Sequence, residues 1–262
     1  MVAVEETTMS EIDKTTRSVL VTGGSRGIGA ATALRCAREG WAVAVNYTHD
    51  AAAADAIVQR IRADGGIALA VQADVSDEAQ VLAMFARIDA ELPVLGGLVN
   101  NAGVVDVAAR VDAMSLARLQ RMFAINVFGS MLCAREAVKR LSTRHGGRGG
   151  VIVNLSSAAA RLGSPGQYVD YAAAKGAIDT FTVGLAKEVA TEGIRVNAVR
   201  PGIIETEIHA SGGQPDRVRQ IAPQVPMQRA GSADEVAQAI VWLLSDASSY
   251  TTGAVVDVSG GR

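Results

Sequence analysis

The chain has 262 residues, of which 49% are hydrophobic and 20% are charged, so it can bury a large core and is not compositionally disordered. Its net charge of -2 provides no broad basic field, which argues against binding to nucleic acid or to an anionic membrane surface. The two cysteines, Cys36 and Cys133, offer neither a disulfide framework nor metal-ligand spacing. We therefore expect a small-molecule partner and no metal.

The N-terminal segment, residues 1–16, is polar and aperiodic, and we expect it to form a flexible tail. It carries acidic and hydroxyl side chains where a secretory signal needs an apolar stretch. No apolar run in the chain approaches the roughly 18 residues that cross a bilayer. These features predict a cytoplasmic protein without a membrane partner, in which residues 17–262 form one domain.

From Ser18 onward, short β-branched runs alternate with stretches of helical period, a pattern typical of βαβ units around a parallel sheet. Most strand candidates are apolar without alternation, as expected for strands covered by helices on both faces. We predict an α/β fold, a single-domain doubly wound parallel sheet of the Rossmann type with about seven strands. The strand candidates are SVLVTG, WAVAVNY, ALAVQAD, VLGGLVNNA, VIVNLSS, IRVNAVRPG and AVVDVS. The predicted helices begin near Gly27, Ala52, Ser76, Leu116, Tyr168 and Asp234.

The first strand is followed by a glycine-rich turn, TGGSRGIG, which opens the first helix. Glycines let the backbone approach a pyrophosphate, and a helix N-terminus offers free N–H groups with partial positive charge. A purely structural glycine loop is the alternative. The turn predicts a dinucleotide site that includes Gly23, Ser25, Arg26, Gly27, Ile28 and Gly29.

The second strand ends at Asn46, Tyr47 and Thr48, near the point where an NAD site places an acidic residue on the ribose 2′-hydroxyl. No acid stands there, whereas Arg26 in the glycine turn can bind a 2′-phosphate with two hydrogen bonds. We therefore expect NADP(H) to be preferred over NAD(H). The alternative is that Arg26 is a solvated loop charge and that Asp50 binds the ribose.

Tyr171 and Lys175 stand four residues apart in a predicted helix, and thus on one face of it. A free phenol has a pKa of about 10, and a nearby ammonium favours the phenolate. Ser157, at the end of the fifth strand, can donate a hydrogen bond that polarises a carbonyl. Considered by itself, either Ser156 or Ser157 can instead be a residue that only caps a turn. Together these residues predict interconversion of a carbonyl and an alcohol, with Tyr171 as general acid/base.

Further motifs follow in order along the chain: Asp74 and Val75 after the third strand, Asn100, Asn101, Ala102 and Gly103 after the fourth, Asn126 in FAINVFG, and Pro201 and Gly202 followed by Ile204 and Thr206. With them, residues 18–262 resemble the short-chain dehydrogenase/reductase family. The resemblance implies that Ser157 polarises the carbonyl, that Tyr171 protonates it, and that Lys175 binds the ribose hydroxyls and lowers the tyrosine pKa. It also implies an adenine pocket at Asp74-Val75, a water held by Asn126, and a nicotinamide site that includes Ile204 and Thr206.

Some of these assignments have alternatives. The interval between Ser157 and Tyr171 is one residue longer than in many relatives, which leaves Ser156 as the other candidate hydroxyl. Asn126 can instead be a helix-bend residue that satisfies backbone groups, and Asp74 can be a helix cap. A different class of protein, a non-catalytic NADPH sensor or scaffold, has no need to keep the set Asn126, Ser157, Tyr171 and Lys175.

The sequence indicates the reaction more clearly than it indicates the substrate. The chain is similar to 3-oxoacyl-acyl-carrier-protein reductases and to sugar-dehydrogenase-like members of the family. Arg144 could dock an acidic carrier, but Glu192 stands where a second basic group is expected and would repel it. We expect residues 159–168 and a lid, residues 205–229, to select the substrate. The resemblance also implies a homotetramer.

Overall fold

The computed structural model describes residues 17–208 and 212–262, so the predicted tail at residues 1–16 and three residues of the predicted lid lie outside the described residues. In the described part, seven parallel strands form one sheet in the order β3-β2-β1-β4-β5-β6-β7. The predicted doubly wound parallel sheet is confirmed. The strands are β1 Ser18–Val21, β2 Ala42–Tyr47, β3 Ala68–Gln72, β4 Leu95–Asn100, β5 Gly150–Leu155, β6 Ile194–Pro201 and β7 Val255–Val258.

Helices cover both faces of the sheet, and each predicted helix start lies within two residues of an observed one. Side-chain caps mark several of these starts, because Asp50, Asp77, Ser115 and Ser232 accept hydrogen bonds from the first-turn N–H groups. No helix in the described ranges has both the length and the apolar character needed to span a bilayer. The helices are α1 Gly27–Arg38, α2 Ala51–Ala63, α3 Glu78–Glu91, α4 Leu116–Phe123, α5 Gly129–Leu141, α6 Ala159–Leu162, α7 Val169–Val189, α8 Arg217–Ile221 and α9 Ala233–Leu244.

The core consists of two apolar layers, one on each face of the sheet. Along β1, Val19 and Val21 belong to one layer, whereas Leu20 belongs to the other, and all three are fully buried. Successive side chains of a strand point to opposite faces. A strand buried on both faces therefore shows an unbroken apolar run, which explains the strand patterns in the sequence.

Two segments depart from the sequence prediction. The helix predicted to begin near Leu116 is interrupted, because a π-helical turn at Ala124–Phe128 separates α4 from α5. The predicted lid, residues 205–229, contains the short helix α8 and is flanked by a bridge between Ile204 and Gly231. Both features depend on packing against neighbouring elements that local sequence patterns do not reveal.

Candidate active site

A cleft of about 160 Å³ opens beyond the carboxyl ends of β4, β5 and β6, where α/β folds of this type bind their ligands. Ser157, Tyr171 and Lys175 line it. Among the described residues, no group of three His, Cys, Asp or Glu side chains is placed to hold a metal ion. The predicted cofactor residues that also line the cleft are Ile28, Asn101, Gly103, Pro201, Gly202, Ile204 and Thr206.

The glycine turn is tightly folded between β1 and α1. Gly27 has a φ of +53°, and a Cβ on Gly29 would lie 2.2 Å from the carbonyl oxygen of Gly23, so only glycine fits there. The side-chain nitrogen Nδ2 of Asn101 donates hydrogen bonds to the carbonyl oxygens of Thr22 and Gly23, at 2.8 and 2.9 Å. The turn is therefore held in a conformation that lets a ligand approach its backbone closely.

The N-terminus of α1 also suits an anion. Its N-cap residue is Arg26, no side chain caps it, and no acidic residue lies in its first turn. By contrast, α2 and α3 are capped by Asp50 and Asp77. The first-turn N–H groups of α1 thus remain available for a pyrophosphate, which fits a nicotinamide dinucleotide.

Asn46 and Asp74, both predicted cofactor residues, direct their side chains to backbone groups. The buried Asn46 accepts a hydrogen bond from Gly23 N at 3.1 Å and donates one to Ala73 O at 3.0 Å. The carboxylate of Asp74 accepts hydrogen bonds from the backbone and hydroxyl of Ser76, at 2.9 and 2.7 Å. Asn46 therefore positions the glycine turn, and Asp74 shapes the turn before α3, whose N-cap is Asp77 rather than Asp74.

The residues at the end of β2 bear on the choice between NADP(H) and NAD(H). Tyr47 and Thr48 are half-buried there, whereas Arg26 is exposed and forms no ion pair with any described residue. The Asp50 carboxylate accepts a hydrogen bond from Ala53 N at 2.9 Å and so caps α2. The Arg26 guanidinium is therefore available to bind a 2′-phosphate, whereas Asp50, the alternative ribose ligand, already caps α2.

The other predicted cofactor residues surround the same turn. Ser25 lies in it, half-buried. Ala102, which follows β4, donates its N–H to Thr22 Oγ at 3.0 Å and so joins the loop to the turn. Val75 is buried against Gly129, where a Cβ would lie 2.6 Å from the valine side chain. That close packing joins the end of β3 to the start of α5, directly after the π-helical turn that carries Asn126.

Ser157, Tyr171 and Lys175 meet at the floor of the cleft. The Ser157 hydroxyl lies close enough to Tyr171 to oppose the rise of its pKa, and Lys175 Nζ lies 5.6 Å from the centroid of the tyrosine ring. Lys175 Nζ also donates to Leu155 O at 2.7 Å. The hydroxyl of Ser156 donates instead to the backbone oxygen of Lys175 at 3.3 Å. Ser157 is thus the serine that faces Tyr171.

Burial shifts the pKa values of both titratable groups. It raises the pKa of Tyr171 to about 12, against the opposing effect of the hydrogen bond to Ser157. It lowers the pKa of Lys175 to about 8, against the attraction of Asp179. The tyrosine shift is opposite to the one expected from the Lys175 ammonium alone, because removal from water disfavours the charged form of each group. At neutral pH the phenol therefore keeps its proton.

The lowered pKa of Lys175 predicts a pH-dependent stability. Between pH 8 and pH 10 the unfolded chain keeps this proton while the folded protein has lost it, so stability rises with pH in this window. The free energy of unfolding of the native protein, relative to Lys175→Met, is expected to increase by about 2–3 kcal/mol across it. Urea unfolding at several pH values measures this difference. The exposed Lys187→Met, on the same helix, should show no such trend, and equal trends would contradict the assignment.

Asn126 lies in the π-helical turn and is fully buried. Its side chain donates to Val104 O at 3.0 Å and accepts from Val104 N at 3.2 Å. A Cβ on Gly103 would lie 2.8 Å from Asn126 Oδ1 and 3.5 Å from Lys175 Nζ. Asn126 thus satisfies backbone groups, as its alternative predicts, and holds the loop after β4 next to Lys175.

Sequence reasoning missed several residues of the site. Arg118 and Asp170 form a buried ion pair, with Nε and Oδ2 2.7 Å apart, directly before Tyr171. The sequence places the acidic residue Asp170 in the first turn of a predicted helix. It gives no indication that Asp170 pairs with Arg118, which is 52 positions away. Val105, Ile203 and Arg262 also line the cleft and had no predicted role in the site. Leu162 and Ser164 fall in the predicted substrate segment of residues 159–168, and Ile208 and Arg217 fall inside the predicted lid.

This chain is similar to known proteins over most of its length. A family model described as enoyl-(acyl carrier protein) reductase matches residues 23–262. The oxidoreductase YgfF of Escherichia coli (strain K12) is 58% identical over 243 residues, which cover 93% of this chain and 98% of that protein. A 3-oxoacyl-[acyl-carrier-protein] reductase of Synechocystis sp. is 40% identical over 256 residues, 94% of this chain and 97% of that protein.

The solved structures agree with the sequence matches. A crystal structure of a candidate gluconate dehydrogenase from Agrobacterium tumefaciens has a TM-score of 0.86 and 34% sequence identity, covering 95% of this chain and 96% of that chain. The resemblance inferred from the motifs is therefore confirmed, and the chain belongs to the short-chain dehydrogenase/reductase family, NAD(P)-dependent oxidoreductases that act on CH–OH groups.

Proposed function

We propose that the protein is an NADP(H)-dependent oxidoreductase that interconverts a ketone or aldehyde and a secondary alcohol, with Tyr171 as general acid/base. The observation that carries the proposal is the group of Ser157, Tyr171 and Lys175 in one cleft, next to an uncapped helix N-terminus. The cleft is open enough to admit a carbonyl compound, yet its walls keep Tyr171 partly out of water.

The chemistry divides between a cofactor and the side chains. When bound, the nicotinamide supplies or accepts the hydride, and the glycine turn and the start of α1 hold its pyrophosphate. Ser157 donates a hydrogen bond to the carbonyl oxygen, and Tyr171 transfers its proton to that oxygen as negative charge develops there. The Lys175 ammonium then stabilises the phenolate. Because Tyr171 is protonated at neutral pH, reduction requires no prior loss of a proton.

Arg26 is proposed to select NADP(H) by binding the 2′-phosphate. Charge-assisted hydrogen bonds contribute about 1.5–3 kcal/mol, so Arg26→Gln should weaken NADPH binding about 10–100-fold and leave NADH binding nearly unchanged. Fluorescence titration with both cofactors measures this difference. Arg38→Gln, an exposed position at the other end of α1, serves as the control. Equal losses for both cofactors would assign Arg26 to the shared pyrophosphate instead.

The proposed activity is tested by screening the native protein, with each cofactor, against ketones, β-ketoesters, aldehydes and sugars. Turnover of at least one carbonyl with NADPH is the expected result. Tight NADPH binding without turnover of any carbonyl would favour a sensor or scaffold. Saturation of binding at one cofactor per chain, measured in the same samples, shows that the protein is folded.

A second candidate is a 3-oxoacyl-acyl-carrier-protein reductase, which the Synechocystis relative favours. Against it, Arg144 Nη1 pairs with Glu192 Oε1 at 3.4 Å, and Glu192 also accepts a hydrogen bond from Ser142. This pairing reduces the positive charge that Arg144 can offer an acidic carrier. A higher kcat/KM for acetoacetyl-carrier protein than for a short acetoacetyl thioester would establish this candidate. A third candidate, a sugar or polyol dehydrogenase, is favoured by the gluconate dehydrogenase neighbour.

We also propose that residues 17–262 form one domain and that the protein is a cytoplasmic homotetramer. Support for one domain comes from the single sheet that contains every described strand. Support for assembly comes from large apolar side chains that are exposed in one chain, among them Val111, Leu116 and Phe128. A stable monomer in sedimentation would overturn the homotetramer.

A further inference from the structure

The cleft carries an unbalanced positive charge. Three of its lining residues, Lys175, Arg217 and Arg262, are basic, and none of the described residues that line it is Asp or Glu. Charges of one sign in a concave site attract ligands of the opposite sign. Lys175 already has a place in the proposed reaction, but Arg217 and Arg262 do not, so their charges require another explanation.

Arg217 is held in place by neutral groups. Its Nη1 donates to the side-chain oxygens of Gln167 and Gln214, both at 2.6 Å, and its guanidinium carbon lies 5.2 Å from the centroid of the Tyr168 ring. It forms no ion pair with any described residue. The guanidinium is therefore oriented by its neighbours while its charge stays uncompensated.

Arg262 is more unusual, because its Nη1 is buried without a hydrogen-bond partner among the described residues. Buried donors in native proteins nearly always have a partner, so such a group calls for an explanation. Burial and the charge of Arg217 both lower the pKa of Arg262. Two guanidinium groups that line one cleft, with a free buried donor, are the expected features of a site that binds an anion.

The position of this pair assigns it to the substrate side of the cleft. Arg217 contacts Gln167 and Tyr168, which lead directly into the helix carrying Tyr171. The glycine turn and the uncapped start of α1, where the cofactor phosphates are proposed to bind, involve neither arginine. An anion held by the pair would therefore belong to the compound whose carbonyl faces Tyr171.

We propose that Arg217 and Arg262 form a carboxylate subsite, and that the substrate is a keto acid whose product is the corresponding hydroxy acid. The inference rests on the proposed carbonyl reduction at Tyr171 and adds the substrate class to it. The planar guanidinium groups match a carboxylate through paired hydrogen bonds. The carboxylate is bound but unchanged in the reaction, since hydride and proton add only to the ketone carbon and oxygen.

The test compares keto acids with their methyl esters in steady-state kinetics with NADPH. Acetoacetate, levulinate and 5-oxohexanoate place the carboxylate at increasing distance from the ketone. For the acid of best-fitting length, kcat/KM should exceed that of its ester at least 10-fold. This acid-to-ester ratio should fall about 10–100-fold in Arg217→Gln and in Arg262→Gln, mainly through KM, and Arg217→Lys should keep part of it.

Arg219→Gln is the matched control, because Arg219 lies on the same short helix, is exposed and pairs with Asp216. Its acid-to-ester ratio should equal that of the native protein. The subsite would be overturned if the esters and the acids had equal kcat/KM and if the acid-to-ester ratio did not change in the Arg217 or Arg262 variants.

A calorimetric titration separates failure of the subsite from failure of the proposed reaction. Levulinate and methyl levulinate are titrated into native protein and into Arg217→Gln, each saturated with NADP⁺. Binding of levulinate alone, lost in Arg217→Gln, would support the subsite even if no carbonyl were reduced. Reduction of neutral ketones without any preference for carboxylates would retain the reaction and reject the subsite.

Discussion

Replacement of Tyr171 by phenylalanine is expected to lower kcat for carbonyl reduction by about 10²–10⁴-fold, the usual contribution of a positioned general acid. The change removes one oxygen and leaves the ring that packs in the cleft. The hydroxyl lies in the same cleft as Ser157, and burial keeps its proton in place at neutral pH. Single-turnover measurement of NADPH oxidation at saturating substrate gives the loss directly.

NADPH binding to Tyr171→Phe should stay within about threefold of the native value, because the glycine turn and α1 supply most of the proposed cofactor contacts. Tyr250→Phe removes the same oxygen from a fully exposed tyrosine and should change neither quantity. If Tyr171→Phe kept native turnover, Tyr171 would not be the acid. Loss of both binding and turnover would indicate a disturbed cleft rather than a missing acid.

The largest effect on stability is expected at the ion pair between Arg118 and Asp170. The Asp170 side chain is 0% exposed and that of Arg118 is 11% exposed. Arg118→Ala would leave a buried carboxylate without its partner, and such changes cost about 3–5 kcal/mol of the free energy of unfolding. Arg118 also donates to Val107 O, so the loop after β4 would lose a contact with α4. Urea unfolding monitored by circular dichroism measures the loss.

The matched control is Arg87→Ala, which breaks an exposed pair with Glu91 on α3. It should cost about 0.5 kcal/mol or less, because exposed pairs are weak. The double variant Arg118→Met/Asp170→Leu should recover much of the stability, because it removes the unpaired charge together with its partner. A similar small loss in Arg118→Ala and Arg87→Ala would show that Asp170 is solvated in solution.

Local patterns in the sequence were sufficient for the sheet and for the cofactor side of the site. Each strand is a short run of apolar residues, and the glycine turn that follows β1 is continuous in sequence. Tyr171 and Lys175 could be paired because four positions on a helix lie on one face. These features depend on residues close together in the chain, so composition and spacing determine them.

Other features depend on which distant segments meet. The sequence favoured Ser157 but left Ser156 as an alternative, since both directly follow β5, whereas packing against α7 directs the Ser156 hydroxyl to Lys175 O and leaves Ser157 to face Tyr171. It also predicted the effect of Lys175 on Tyr171 from charge alone, whereas burial of both groups decided the direction of the shift. Desolvation is a property of the surrounding fold and cannot be read from spacing.

The sequence by itself thus determined the parallel α/β sheet, the family, the glycine turn and the Tyr171-Lys175 pair. Only the tertiary structure decided the partner of Asp170, the structural role of Asn46 and the placement of Arg217 and Arg262 in one cleft. The physical reason is the separation along the chain over which each kind of interaction acts. Propensity and periodicity act over a few residues, whereas ion pairs, buried donors and cleft walls join side chains that are tens of positions apart.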